Sequence, residues 1–172
     1  MERYEAIKAF VESNKVKVRS FAEIGAYQGE CSEHLLSYWP ESTAYLIDPW
    51  LPYDPGRGLF PLERFKSKEA NEKIYQSVLE KFSGMGNVVI LRNTSEEAAG
   101  IVPDGLDLAF IDGRHDYEFA KQDIELWKPK IRSGGILCGH DYGHPWKGVI
   151  RAVNEAFVKP NLLGVSVWGM VV

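Results

Sequence analysis

The sequence predicts an α/β protein built on a mostly parallel sheet with helices on both faces. Two observations carry this. Short β-prone apolar runs alternate with runs of helical periodicity, and right-handed crossovers between parallel strands place the intervening helices on the two faces of one sheet. Each of the first five β-prone runs also ends in polar residues, so polar side chains collect at one sheet edge, where α/β proteins bind ligands. With 172 residues, 45% of them hydrophobic, the chain has the size of one domain with a real core. Residues 1–172 are therefore expected to form a single unit.

The elements follow in order. Tyr4, Ile7, Phe10 and Val11 recur at helical spacing and predict a first helix. "VRSFAEIG" (18–25) is a β-prone run closed by glycine, and "CSEHLLSYW" (31–39) is a helix stopped by Pro40. "TAYLID" (43–48) is a second buried strand, ending in an acid before Pro49. A loop rich in proline and glycine, "PWLPYDPGRGLFPLE" (49–63), leads into a helix carrying Phe65, Ile74, Val78 and Phe82 on one face and closed by "GMG" (84–86). "NVVILRN" (87–93) is strand three, and the next element expected is "LDLAFID" (106–112), strand four. "YEFAKQDIELWKPKI" (117–131) reads as a helix, "GGILCGHD" (134–141) as strand five and "WKGVIRAVNEAF" (146–157) as a helix. "NLLGVSVWGMVV" (161–172) supplies one or two closing strands.

Composition removes several classes of function. Net charge is −4 and the 20 basic residues are scattered, with no run longer than "KVKVR", so the footprint of a nucleic-acid binder is missing. The opening "MERYEAIKAFVES" lacks an apolar h-region and no stretch approaches 18 apolar residues, which argues against export and membrane insertion and for a cytoplasmic protein. Cys31 and Cys138 lack metal-type spacing and read as reduced core thiols. Self-association is left open by the sequence.

The strand ends carry the chemistry. Strand one ends in Glu23 and Gly25, strand two in Asp48, strand three in Asn93 to Ser95, strand four in Asp112, and strand five in His140 and Asp141. In "EIGAYQGECS" (23–32) a glycine-rich turn feeds a helix start, which exposes backbone N–H groups to an anionic group, and Gly29 would let a ligand approach closely. Asp48, 19 residues after Gly29, is near the offset at which an acid accepts both hydroxyls of a ribose. The spacing is G-x-x-x-G rather than G-x-G-x-x-G, and Glu23 would repel a pyrophosphate. S-adenosylmethionine suits all three features, with a carboxylate for the helix start, cationic groups for Glu23 and a ribose for Asp48, whereas NAD suits two. Taken alone, the same residues also read as strand-end polar groups and turn glycines.

The order "EIGAYQGECS", "YLIDPW", "LDLAFIDGRHDY", "GGILCGHDY" and "GVIRAV" resembles class I S-adenosylmethionine-dependent methyltransferases, in the branch of macrolide-sugar O-methyltransferases and cephalosporin hydroxylase-like proteins. The resemblance covers residues 18 to 157. It implies a Rossmann-like sheet of seven strands with the last antiparallel. It also implies that Glu23, Gly25 and Gly29 hold the methionine part of the cofactor, Asp48 the ribose, and Thr94 and Ser95 the adenine surroundings. Ser32, or Cys31 after a one-residue shift, would meet the cofactor carboxylate.

Metal-dependent members of that branch imply that Asp112, His140 and Asp141 bind a divalent cation, magnesium or manganese, with Asp112 also next to the cofactor. Independently, two carboxylates from neighbouring strands need a cation or a shared proton to be tolerated. The His140 position is often an acid in these relatives, and imidazole suits manganese and later metals better than magnesium. His115 matches the family's general base, and its ordinary pKa near neutrality suits proton acceptance from a hydroxyl. As alternatives, Asp112 reads as a turn cap, Asp141 as a loop anchor and His115 as a packing residue. These residues together imply a metal-assisted O-methyltransferase acting on a small hydroxylated acceptor (sugar, natural product or phenol). A metal-free methyltransferase and a cofactor-binding protein without transfer are the alternatives. "YEFAK" (117–121) matches the Y-x-x-x-K pair of short-chain dehydrogenases, but it precedes strand five and lacks the matching glycine fingerprint. The 49–65 segment is expected to wall the acceptor pocket with the 143–147 loop opposite; Trp50, Tyr53, Phe60 and Trp146 read equally as stacking on a sugar or aromatic ring and as packing aromatics, and Arg57 and Lys147 as contacts for an acidic group.

Overall fold

A computed structural model describes residues 1–52 and 67–172. Seven strands form one sheet in the order β3-β2-β1-β4-β5-β7-β6, where β1 is Ser20–Ile24, β2 Thr43–Ile47, β3 Val88–Leu91, β4 Leu106–Ile111, β5 Ile131–Gly139, β6 Asn161–Leu162 and β7 Trp168–Val171. The first five are parallel in register, Glu23 lying opposite Leu46 on one side and Phe110 on the other. β7 runs antiparallel to both β5 and β6, as the resemblance implied. Strand order reverses between β1 and β4, which opens a crevice beyond their carboxyl ends.

Among the described residues six α-helices cover the sheet: α1 Arg3–Ser13, α2 Glu30–Tyr38, α3 Lys68–Lys81, α4 Ser95–Ile101, α5 Tyr117–Trp127 and α6 Lys147–Ala156. One core packs Ile7 and Val11 of α1, Leu35 of α2 and Val78 of α3 against Phe21, Leu46 and Phe110 of the sheet. The other packs Ala98 of α4, Ile124 and Trp127 of α5 and Val153 of α6 against Ile24, Ile111 and Leu137. Period-2 alternation in β1 and β4 thus feeds apolar residues to both faces, and all six residues of β4 are buried. One of them is Asp107. It is tolerated because the backbone N–H groups of Arg19 and Ser20 donate to it at 2.7 and 3.1 Å, and Arg132 Nε at 2.5 Å. Cys31 and Cys138 are free and buried in the first core. Among the described residues no helix is long and apolar enough to cross a membrane.

Three local expectations change. The stretch between strands three and four contains α4, which the sequence reading passed over. Thr94 accepts from Glu97 N at 3.3 Å while the Glu97 side chain accepts from Thr94 N at 2.9 Å, a capping box sufficient to start a helix in a segment with few apolar residues. The helix expected over 117–131 ends at Trp127. Pro129 has no N–H to donate, so residues Lys128–Lys130 tighten into a single 3-10 turn. β5 then begins at Ile131, three residues before expected, with a register shift opposite Leu106 and Leu108. Phe65, placed on the face of α3 by periodicity, lies outside the described residues; Ile74, Val78 and Phe82 of that face do pack in the first core.

Candidate functional site

A cavity of about 600 Å³ lies over the carboxyl ends of β1, β2 and β4. Its floor is set by Gly25, whose φ of +92° is open to glycine and whose Cβ, if present, would collide with the Asp112 carbonyl. That collision explains the glycine: β1 and β4 leave the sheet side by side here, tied by Asp112 N donating to Ile24 O at 2.7 Å. The loop then folds over β2, with Gly25 N and Ala26 N both donating to Ile47 O at 2.8 and 3.0 Å.

Asp48 secures the next turn. Its two oxygens accept from Tyr27 N at 3.0 Å and Trp50 N at 2.7 Å, and Trp50 Nε1 donates to Tyr27 O at 2.8 Å. These two donors hold the aspartate in a fixed orientation at the cavity edge. Trp50 itself is buried against Tyr75, at 4.9 Å between ring centroids, so it packs the core and does not face an acceptor.

Glu23 is 2% exposed and lines the cavity from below. Burial pushes its carboxyl up to about 8, opposed by the hydrogen bond from Ser32 and by Arg3, and reinforced by the nearby charge of Asp112. Both the N–H of Ser32, at 2.9 Å, and its hydroxyl, in a very short contact, donate to Glu23 Oε2. This changes the expected role of Ser32. The side chain is fully buried and spent on Glu23, and it is not among the cavity-lining residues. Gly29 does not line the cavity either. It caps α2 at φ +69°, and the space of its missing Cβ is filled by the Phe82 ring at 2.6 Å, so its glycine character serves packing rather than ligand approach. Cys31 is buried in the core behind them.

At the far wall Thr94 and Ser95 line the cavity beside Asp123 of α5. Trp127 Nε1 donates to Ser95 Oγ at 2.8 Å, and Ser95 in turn bonds the Asp123 carboxyl. Burial raises that carboxyl to about 6, with the Ser95 bond opposing. Sequence reasoning missed Asp123, which sits mid-helix with no local signal. It missed Arg3 for the same reason: α1 brings it to the cavity from 20 residues before Glu23, steadied by the stack of Tyr4 on His34 at 3.7 Å.

The β4 and β5 ends converge above Glu23. His115 Nε2 lies 2.5 Å from Asp141 Oδ2, and the imidazole stacks on Trp146 at 3.9 Å between centroids. Asp141 adopts a left-handed φ of +59°, a conformation that aspartate tolerates better than most residues. Burial would raise the Asp141 carboxyl, but the bonds and charge of His115 and His140 outweigh it and hold it well below the usual carboxylate range. Burial likewise opposes protonation of His140, yet Asp112 and Asp141 raise it to about 10. At 3.6 and 3.4 Å from His140 Nδ1, these acids act on it as charges rather than through good hydrogen bonds.

The expected metal trio was Asp112, His140 and Asp141. Among the described residues, the ligand atoms that converge, all within 4.8 Å of one another, belong to Asp112, His115 and Asp141 instead. His140 stays beside this cluster: Ser166, in the loop before β7, pairs through Oγ with His140 Nε2 at 2.9 Å while Ser166 O accepts from Tyr142 N at 2.9 Å, and His140 Nδ1 faces Asp112 and Asp141 at 3.6 and 3.4 Å. Two carboxylates and an imidazole suit a six-coordinate divalent ion that completes its shell with water or a ligand.

Of the other residues weighed from sequence, Trp146 lines the cavity and Lys147 does not. Tyr53, Arg57 and Phe60 lie outside the described residues. Tyr117 donates to Glu155 Oε2 at 2.6 Å on the exposed surface, with Lys121 beside it, and neither lines the cavity. The hydride-transfer pair suggested by "YEFAK" is therefore absent from the site.

A family model described as a methyltransferase domain matches residues 22–142. An uncharacterised protein of Sinorhizobium fredii is 40% identical over 53 residues, which are 30% of this chain and 6% of that protein, so the chain spans a small part of the curated relative it matches. Among solved structures, the O-methyltransferase NovP superposes with a TM-score of 0.69 at 17% identity, covering 98% of this chain and 76% of that one. A methyltransferase from Geobacter sulfurreducens gives 0.62 at 14%, covering 98% and 78%. An rRNA methylase from Streptococcus thermophilus gives 0.63 at 13%, covering 98% and 95%. At such identities the likeness is one of fold, and neighbours with different acceptors share it.

Proposed function

The chain belongs to the methyltransferase-domain family, and we propose that it transfers a methyl group from S-adenosylmethionine to the hydroxyl of a small acceptor, assisted by a divalent cation. The observation that carries this reading is the meeting, in one 600 Å³ cavity, of Glu23 and Asp48 with the Asp112, His115 and Asp141 cluster. The volume is in the range of small-molecule sites. Asp48, already fixed by two backbone donors, accepts the ribose hydroxyls. Glu23 and Asp112 face the cationic groups of the methionine end, and Thr94, Ser95 and Gly25 shape the walls. When bound, S-adenosylmethionine supplies an electrophilic methyl group and the cation lowers the pKa of the acceptor hydroxyl.

The rest is positioning by this chain's own side chains. Trp146 stacks on the His115 ring and forms one wall of the space above Asp112, where a flat or sugar-like acceptor would rest. Asp141 fixes the orientation of His115, and the acidic lining with net charge −4 favours a small neutral or cationic acceptor over a nucleic acid. A cytoplasmic site of action goes with this reading.

The short His115 to Asp141 contact favours a second, cation-free form of the reaction. If Nε2–H donates to Asp141, the lone pair sits on Nδ1 and takes the hydroxyl proton, a contribution of roughly 10²–10⁴-fold in rate. Calorimetric titration with S-adenosylhomocysteine tests the main reading: saturable binding is expected, and no binding at millimolar ligand together with binding of NADH would sink it. Turnover surviving exhaustive chelation would select the cation-free form.

A further inference from the structure

We propose that Arg3 anchors the α-carboxylate of the methionine end, in place of the α2 N-terminus that the sequence suggests; this rests on S-adenosylmethionine being the ligand. Most donors of the glycine loop are already committed. Gly25 N and Ala26 N donate to Ile47 O, Tyr27 N to Asp48 at 3.0 Å, Gly29 N to Ala26 O at 2.7 Å, and Ser32 donates twice to Glu23. A carboxylate arriving here would meet Glu23, Glu30 and Asp112 on the cavity wall, and would be repelled unless a cation intervened.

Among the described residues, four cationic or protonatable side chains line the cavity: Arg3, Arg114, His115 and His140. Arg114 is held on Asp116 at 3.1 and 2.9 Å and lies over the Phe119 ring at 3.6 Å, and both histidines are engaged with Asp141. Arg3 is different. Its Nη2 donates to Glu30 at 3.0 Å, while its Nε is buried without a hydrogen-bond partner, 3.8 Å from Asp112 Oδ2 and out of bonding reach. A guanidinium fork with most of its donors unused is suited to bidentate capture of a carboxylate. Its neighbours complete the match. Arg3 stands beside Glu23 and Asp112, so the protein presents a cation next to anions, the complement of an amino-acid head carrying a carboxylate next to an ammonium. The Glu30 side chain, 59% exposed, can be released to water when the ligand carboxylate takes its place.

The experiment is calorimetric titration of wild type, Arg3→Gln and Arg3→Lys with S-adenosylhomocysteine and with its decarboxylated analogue, the variants being checked for unchanged melting temperature. In wild type the carboxylate is expected to improve binding by about tenfold to a hundredfold, as for hydrogen bonds to charged groups. In Arg3→Gln that preference should fall below about threefold, because S-adenosylhomocysteine weakens while the decarboxylated analogue does not. Arg3→Lys, which keeps charge but not the fork, should recover part of it. A preference of wild-type size in Arg3→Gln would overturn the assignment of Arg3 and leave the methyl-donor reading standing. Failure of wild type to bind S-adenosylhomocysteine at all would overturn both.

Discussion

Glu23 makes the stability of this protein fall with rising pH, and Glu23→Gln should abolish that fall. The carboxyl is pushed from 4.5 to about 8, chiefly by burial. A folded-state value above the unfolded one means that the folded state holds the proton more tightly. The stabilisation is therefore fully present below about pH 4.5 and is lost as pH rises through about 8. Linkage at about 1.4 kcal/mol per pH unit, integrated between pH 6 and pH 9 with these two values, gives a loss of about 2–3 kcal/mol. The perturbation is isosteric, and glutamine can still accept from Ser32 through its carbonyl oxygen. Urea unfolding of ligand-free wild type and Glu23→Gln at pH 6 and pH 9 measures the difference. Wild type should lose the stated amount relative to the variant, since all other titrating groups are common to both. Equal losses in the two proteins would refute the reasoning, because they would mean that Glu23 ionises in the folded state as easily as in the unfolded one. A ligand ammonium placed beside this residue should reverse the sign. It favours the carboxylate, so S-adenosylhomocysteine binding near pH 7 should release a proton in wild type and not in the variant.

Other outcomes follow from the same geometry. Gly25→Ala should destabilise the fold by about 2 kcal/mol or more, since the methyl group meets the Asp112 carbonyl at a φ of +92°; a change under about 0.5 kcal/mol in urea unfolding would mean that the loop relaxes freely. Asp112→Ala and Asp141→Ala should each abolish manganese binding in titration calorimetry, Asp141→Ala leaving S-adenosylhomocysteine affinity within a fewfold, while His140→Ala should keep the metal because the converging ligand atoms are those of Asp112, His115 and Asp141. His115→Ala should lose roughly 10²–10⁴-fold in turnover and retain cofactor binding, and wild-type rates would remove it from the chemistry.

Much of the architecture was legible in the sequence because its signals are local. Mostly apolar β-prone runs in 20–24 and 106–111, helical spacing through Ile7, Val11 and Val78, and breakers such as Pro40 place most elements within a few residues. The helix that was passed over, α4, also had a local signal: Thr94 and Glu97 stand at capping-box spacing. The early start of β5 had none, since Ile131 is set by pairing with Leu106 across the sheet.

By itself the sequence determined an α/β sheet with its acids and glycines at strand ends, because period and spacing act over a few residues. It determined Gly25, Glu23, Asp48 and Asp112 as candidates in the same way. Tertiary structure alone decided which of these groups meet. Ser32 turns inward to Glu23, His140 pairs with Ser166 while facing both acids, His115 joins Asp112 and Asp141, and Arg3 and Asp123 enter the cavity from helices that show no motif there. Each of those pairings depends on strand order, register and helix packing across separations from 9 to 26 residues and more, and competition between buried partners is resolved only once the sheet has formed.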